Sequence, residues 1–209
     1  MSVFIIFSML LIIITVLFFA ISYKSDQHAF IENACLPDSI TSSLRERFEH
    51  LSDEQCELVL AGLKEYFLLC NLAKGQFVAM PSKVVDVAWH AFILDTKEYT
   101  HFCKKAFGRF LHHMPATSCH LNEAINSSLK RTWQITCQRN FINANAPEKL
   151  PLLFMIDEML EIKTGFKYTL AAQSDNSGLC VSVFNDHQQT AEVFNNTRYE
   201  VACGGFAGR

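Results

Sequence analysis

Residues 84–115 read VVDVAWHAFILDTKEYTHFCKKAFGRFLHHMP and hold four of the chain's eight histidines: His90, His101, His112 and His113. Asp86 and His90 stand four apart, which on a helix puts a carboxylate and an imidazole on one face. The His112-His113 pair follows after two intervening turns of chain, close enough to fold back over that face. One carboxylate with two imidazoles suits Zn²⁺ or non-haem Fe²⁺, leaving coordination positions open to water or substrate. The candidate metal ligands are therefore Asp86, His90, His112 and His113.

Structural roles compete for the same residues. An aspartate in a first helical turn is favoured by the macrodipole whether or not it binds an ion, and a histidine beside a tryptophan is often a core residue with one satisfied ring nitrogen. His101, next to Lys104 and Lys105, is expected to face solvent and is the weakest ligand of the four. Cys103 lies on the apolar side of its helix with Tyr99 and Phe102, where burial raises a thiol pKa and suppresses nucleophilic chemistry. Cys203-Gly204-Gly205 is expected in an exposed tail, open to modification. No Gly-x-Gly-x-x-Gly, Walker loop or Gly-x-Ser-x-Gly elbow occurs, so nucleotide binding and α/β-hydrolase chemistry have no local support.

The elements that must position these residues are helices. Ser52-Asp53-Glu54-Gln55 has the form of a capping box, followed by Cys56, Val59, Leu60, Leu63, Phe67 and Cys70 at spacings of three and four, one apolar stripe. Ser82 can cap a helix running to about Leu94, and Asp95 another that Gly108 ends. A third long helix is expected over 119–138, with Leu121, Ile125, Leu129, Trp133 and Cys137 at fourfold spacing. A fourth is expected from Pro151 to about Gly165. Beyond Tyr168 polar residues dominate, with one strand-like run at 179–184.

The start of the chain is different in kind. Over 3–23 only Ser8, Thr15 and Ser22 interrupt apolar residues, and no charge occurs. About 20 such residues in a helix span the ~30 Å hydrocarbon core. A cleaved signal peptide ending near Ala20-Ile21-Ser22 is the rival, opposed by the length of the run and the lack of a basic residue before it. Lys24, Arg45 and Arg47 after the run place the remainder in the cytoplasm by the positive-inside rule. Eight scattered cysteines without a Cys-x-x-Cys pair agree with that side. A net charge of −3 and a pI near 6.2 offer no basic surface, so no nucleic acid partner is expected.

The expected fold is thus all-α, with an N-terminal single transmembrane helix at 1–23 and a stalk or linker at 24–50. A compact domain of four to six helices carries the His/aromatic motif at 51–168, and an irregular Cys/Gly-containing tail occupies 169–209.

The motif resembles that of the glycine-rich domain-containing proteins, a family with bacterial members and larger plant members. The matching residues are Val85-Asp86, Trp89-His90, Thr96, Tyr99, Phe102-Cys103, Phe107-Gly108, Phe110 and His112-His113 with Pro115. The resemblance implies a helical domain over about 54–168, and Cys203-Gly204-Gly205 echoes the family's Gly/Cys-rich tails in shortened form. Some members have a second histidine where this chain has Phe92. The resemblance implies no activity.

Two functions follow. In one, the chain is a membrane-tethered interaction or structural module, bound to the bilayer through residues 3–23 and to a protein partner through its helical domain. In the other, it is a metal-binding protein or metal-dependent enzyme using Asp86, His90 and His112 or His113, with Zn²⁺ or non-haem Fe²⁺ as the ion.

Overall fold

The structure is a computed structural model. It describes residues 2–114, 122–170, 181–184 and 203–205, by backbone alone at 2–3, 114, 122–126, 181–184 and 203–205. Among the described residues seven helices dominate: α1 (Ser2–Asn33), α2 (Asp38–Arg47), α3 (Asp53–Leu72), α4 (Lys83–Leu94), α5 (Thr96–Phe107), α6 (Asn122–Arg139) and α7 (Leu152–Met159). Five strands of two to four residues join them: β1 (Val78–Ala79), β2 (His112–Met114), β3 (Lys167–Leu170), β4 (Val181–Phe184) and β5 (Cys203–Gly205).

Helix α1 has two halves with different surroundings. Every large apolar side chain from Phe4 to Ile21 is more than half exposed, so none of the described residues covers this stretch. The Ser8 and Thr15 hydroxyls donate to the carbonyls of Ile5 and Ile12, both at 2.8 Å, which removes their need for water. The helix is long and apolar enough to cross a membrane. Its last turns are different: Gln27 and Ile31 are buried against α3 and α5.

Residues 24–50 therefore do not stand apart as a stalk. They continue α1 to Asn33 and then form α2, which buries Ile40 and Leu44 against α3 and α4. The segment's fully buried apolar side chains are few, Ile31, Ile40 and Leu44, with Ala34 nearly covered and Phe30, Leu36 and Phe48 partly buried against the core. Composition alone reads such a segment as solvated, although Ile31, Ile40 and Leu44 are fully covered.

Helix α3 is the central rod. Its capping box forms as expected, with Ser52 Oγ accepting from the Gln55 amide and the Gln55 side chain accepting from the Ser52 amide. Eleven of its residues are buried, Tyr66 and Phe67 among them. Phe67 packs on Phe102 at 4.9 Å between ring centroids, and Tyr66 on Trp89 at 5.1 Å, so the core is largely aromatic where α3, α4 and α5 meet. Asp95 caps α5 through the Glu98 amide, and Gly108 ends it at φ +72°, a left-handed conformation that favours glycine.

α6 begins at Asn122 and α7 runs only from Leu152 to Met159, shorter than the 151–165 expected. Asp157 explains the early stop: its carboxylate faces inward to accept from the Phe166 amide, which draws the following chain back across the helix end. Leu121 and Pro115 lie outside the described residues. Of the run expected at 179–184, Val181–Phe184 is β4, paired antiparallel with β3, and 179–180 lie outside the described residues. Cys203-Gly204-Gly205 is β5, seated between β1 and β2 and antiparallel to both, with Gly204 opposite both Val78 and His113. Most of the remaining tail lies outside the described residues.

Candidate metal centre

Helix α4 supplies two of the site residues, and its N-terminus is unusually well fixed. Ser82 Oγ accepts from the Val85 amide, the cap expected from sequence. Asp157 of α7 completes it. One carboxylate oxygen accepts from the Ser82 hydroxyl at 2.7 Å and the Val84 amide at 3.1 Å. The other accepts from the amides of Lys83 at 2.7 Å and Phe166 at 2.8 Å. Burial pushes the Asp157 carboxyl up, opposed by these hydrogen bonds from Lys83, Phe166, Val84 and Ser82. Four donors on one buried carboxylate tie α4, α7 and the approach to β3 into a unit.

With its cap held, α4 turns Val84, Val85, Ala88, Trp89 and Phe92 into the core. Asp86 and His90, one turn apart, remain on the opposite face; Asp86 is half-buried and His90 exposed. His90 Nδ1 lies 2.8 Å from the Asp86 backbone carbonyl and 3.5 Å from the Asp86 carboxylate. With Nδ1 as the donor to that carbonyl, Nε2 is the lone-pair nitrogen.

The third residue arrives on β2. Trp89 Nε1 donates to the Tyr99 hydroxyl at 3.0 Å, and that hydroxyl donates to the Leu111 carbonyl at 2.7 Å. This buried relay links α4 and α5 to the residue that leads into β2. Two residues on, the His113 ring meets the Trp89 indole edge-on at 4.5 Å and the His90 ring at 4.1 Å. His113 Nε2 lies 3.0 Å from Asp86 Oδ1. Asp86, His90 and His113 each offer a ligand atom, all within 4.8 Å of one another.

His112 is not part of this group. Successive side chains on a strand point to opposite faces, so turning His113 towards α4 turns His112 away. It is exposed, and its ring lies tilted against that of Phe110 at 4.9 Å between centroids. The four expected ligands reduce to three, and the strand period decides which histidine is lost. His101 is exposed, as its lysine neighbours imply. Cys103 is fully buried, and burial pushes its thiol up despite opposing hydrogen bonds from Leu111 and Tyr99.

Two features of the site were not visible in the motif. Asp157 is an acid directly after the apolar run Leu152–Ile156 of α7, and nothing local assigns it to the α4 cap. The β1–β5–β2 pairing had no local signal, because its three strands are short and far apart in sequence. Tyr66 donates to the Val78 carbonyl at 2.9 Å, and Thr132 to that of Ala79 at 2.9 Å, so β1 is pinned to α3 and α6. β5 hydrogen-bonds to β1 on one side and to the strand of His113 on the other.

No curated protein and no solved structure matches the chain. A family model described as UCP032817-like matches residues 26–191, a span that includes α2 to α7 and every residue of the site. The chain belongs to the UCP032817-like family.

Proposed function

We propose that this chain is a single-pass membrane protein whose helical domain binds a divalent transition-metal ion, Zn²⁺ or Fe²⁺, through Asp86, His90 and His113. The observation that carries the reading is the convergence of one carboxylate and two imidazoles, within 4.8 Å, from two separate elements. A carboxylate with two histidines is a donor set suited to either ion. Bonds of about 2.1 Å in a tetrahedral shell put ligand atoms about 3.4 Å apart. The group must therefore contract, and exposed His90 is the side chain with room to move. Trp89 against His113 and the Asp86 carbonyl on His90 are the outer contacts that orient metal-bound imidazoles. Three protein ligands leave at least one position for water or a small ligand, which is the basis of Lewis-acid chemistry and of water activation.

The exposed first half of α1 supports the membrane assignment, and Lys24 at its end supports a cytoplasmic domain. Elemental analysis of the full chain, purified in detergent without an affinity tag, tests the metal. Near-stoichiometric zinc or iron is expected, and protein without metal after equilibration with either ion contradicts the reading.

A second reading is favoured by one observation: His113 Nε2 lies 3.0 Å from Asp86 Oδ1, a direct hydrogen-bond distance. There the pair is a latch holding β2 to α4, and the domain is a membrane-tethered interaction module for a protein partner. The same measurement separates the two.

A further inference from the structure

The strand that carries His113 is braced by a segment from the far end of the chain. Among the described elements β5 is the principal neighbour of β2. The register sets His112, His113 and Met114 opposite Gly205, Gly204 and Cys203. On its other edge β5 pairs with β1, Val78 opposite Gly204 and Ala79 opposite Cys203. β1 is the fixed member of the three. Tyr66 of α3 donates to the Val78 carbonyl, Thr132 of α6 to that of Ala79, and Arg131 of α6 to that of Phe77 just before the strand. Among the described residues β1 and β2 meet through β5 and not directly. One path from the core to the backbone of His113 therefore runs through residues 203–205. The other runs along the chain from Leu111, whose carbonyl accepts from the Tyr99 hydroxyl. Leu111 fixes where β2 starts, whereas β5 fixes its register and hence the side on which His113 emerges.

We infer that β5 is a detachable strap for the metal centre: seated, it holds His113 over Asp86, and withdrawn, it releases His113 and with it the ion. The inference rests on the metal reading of Asp86, His90 and His113. Two features make the strap detachable. It is three residues long, so few backbone hydrogen bonds hold it. Two of the three are glycines, which lose the most chain freedom on ordering and bring no side chain to pack. Short elements of this kind open locally at small cost, without unfolding of the helices. The other two ligands do not depend on β5, because Asp86 and His90 ride on α4, whose cap is secured by Ser82 and Asp157. A strap that acts on one ligand of three tunes affinity. By linkage, a bound ion must tighten the strap in return. The tail is then the point of control: a protease or partner that takes segment 203–205 lowers metal retention.

The test compares the full chain with variants ending at residue 202 and at residue 205, all in detergent, with circular dichroism as the check on folding. Zn²⁺ affinity is read by competition with a chromophoric chelator, and backbone opening by hydrogen–deuterium exchange. Contacts that orient a metal ligand are worth about 10–100-fold in affinity, so the chain ending at 202 should bind Zn²⁺ at least about tenfold more weakly. The chain ending at 205 keeps β5 and should match the parent within about twofold. Gly204→Pro in the full chain removes one strap N–H and should fall between the two. Cys203→Ser leaves the backbone pairing intact and should bind as the parent does. A peptide of residues 199–209 added to the chain ending at 202 should restore affinity by strand addition, and the same peptide with Gly204→Pro should not. In the parent, Zn²⁺ should slow exchange at 203–205 and at Val78–Ala79, none of which is a ligand. Unchanged exchange over 112–114 in the chain ending at 202 overturns the inference. So does a loss in Cys203→Ser equal to that of the truncation, which assigns the effect to a thiol. A parent that binds no Zn²⁺ refutes the metal reading itself, whereas equal Zn²⁺ affinity in the parent and the chain ending at 202 refutes only the strap.

Discussion

Replacing Asp157 with alanine perturbs the site without touching a metal ligand. The substitution removes the acceptor for three backbone amides, Lys83, Val84 and Phe166, and for the Ser82 hydroxyl, at a position 2% exposed. An orphaned buried donor costs about 1–3 kcal/mol. Ser82 still caps Val85, and water entering the vacated space recovers part of the loss. The net destabilisation should therefore be about 3–5 kcal/mol, the range for breaking a buried polar network by removing one partner. For a chain of this size that corresponds to a fall of about 6–20 °C in Tm. Asp157→Asn should cost about half as much. Its carbonyl can still serve Ser82 and Val84, but its amide would confront the donors of Lys83 and Phe166. Thermal and urea unfolding followed by circular dichroism, on the full chain in detergent, reads both variants. A loss below about 1 kcal/mol for alanine, or equal losses for the two, would refute the claim that Asp157 is the cap of α4.

Other outcomes follow from the same contacts. The Asp157 carboxyl is raised on folding, so its bound proton stabilises the fold at low pH, and that contribution falls as pH rises through the raised value. Asp157→Asn should flatten that part of a stability–pH profile. Tyr99→Phe leaves the Trp89 N–H and the Leu111 carbonyl without their partner and should cost about 2 kcal/mol in urea unfolding. Gly108→Ala, at φ +72° and facing the Tyr23 hydroxyl, should cost about 1 kcal/mol by the same assay. Among the described cysteines, alkylation mapped by peptide mass spectrometry should modify exposed Cys35 in the native chain. Cys56, Cys70, Cys103 and Cys137 are buried and should react only on unfolding; burial raises Cys137 to about 11.

What could be read from the sequence divides by range. The caps at Ser52, Ser82 and Asp95 and the stop at Gly108 are local devices, each written within four residues of its helix end, and all four occupy those places. Asp86 and His90 share a face for the same reason, since helical spacing alone puts them there. The choice between His112 and His113 depends on a strand's period and on a partner strand some ninety positions away, which no local pattern encodes. Asp157 reaches its donors at the start of α4 across 73 to 75 residues, and its burial reflects packing of α7 rather than any feature of its own neighbourhood. Residues 24–50 read as a linker because polar residues predominate there, whereas the burial of Ile31, Ile40 and Leu44 depends on packing against α3, α4 and α5.

The most direct test of the metal centre compares adjacent histidines. Full-length protein and its Asp86→Ala, His113→Ala and His112→Ala variants are loaded with Zn²⁺ or Fe²⁺, dialysed, and assayed for bound metal by elemental analysis, with circular dichroism as the check on folding. The geometry requires metal in the parent and in His112→Ala, and its loss in folded Asp86→Ala and His113→Ala. Retention in His113→Ala, or loss in His112→Ala equal to that in His113→Ala, would contradict it.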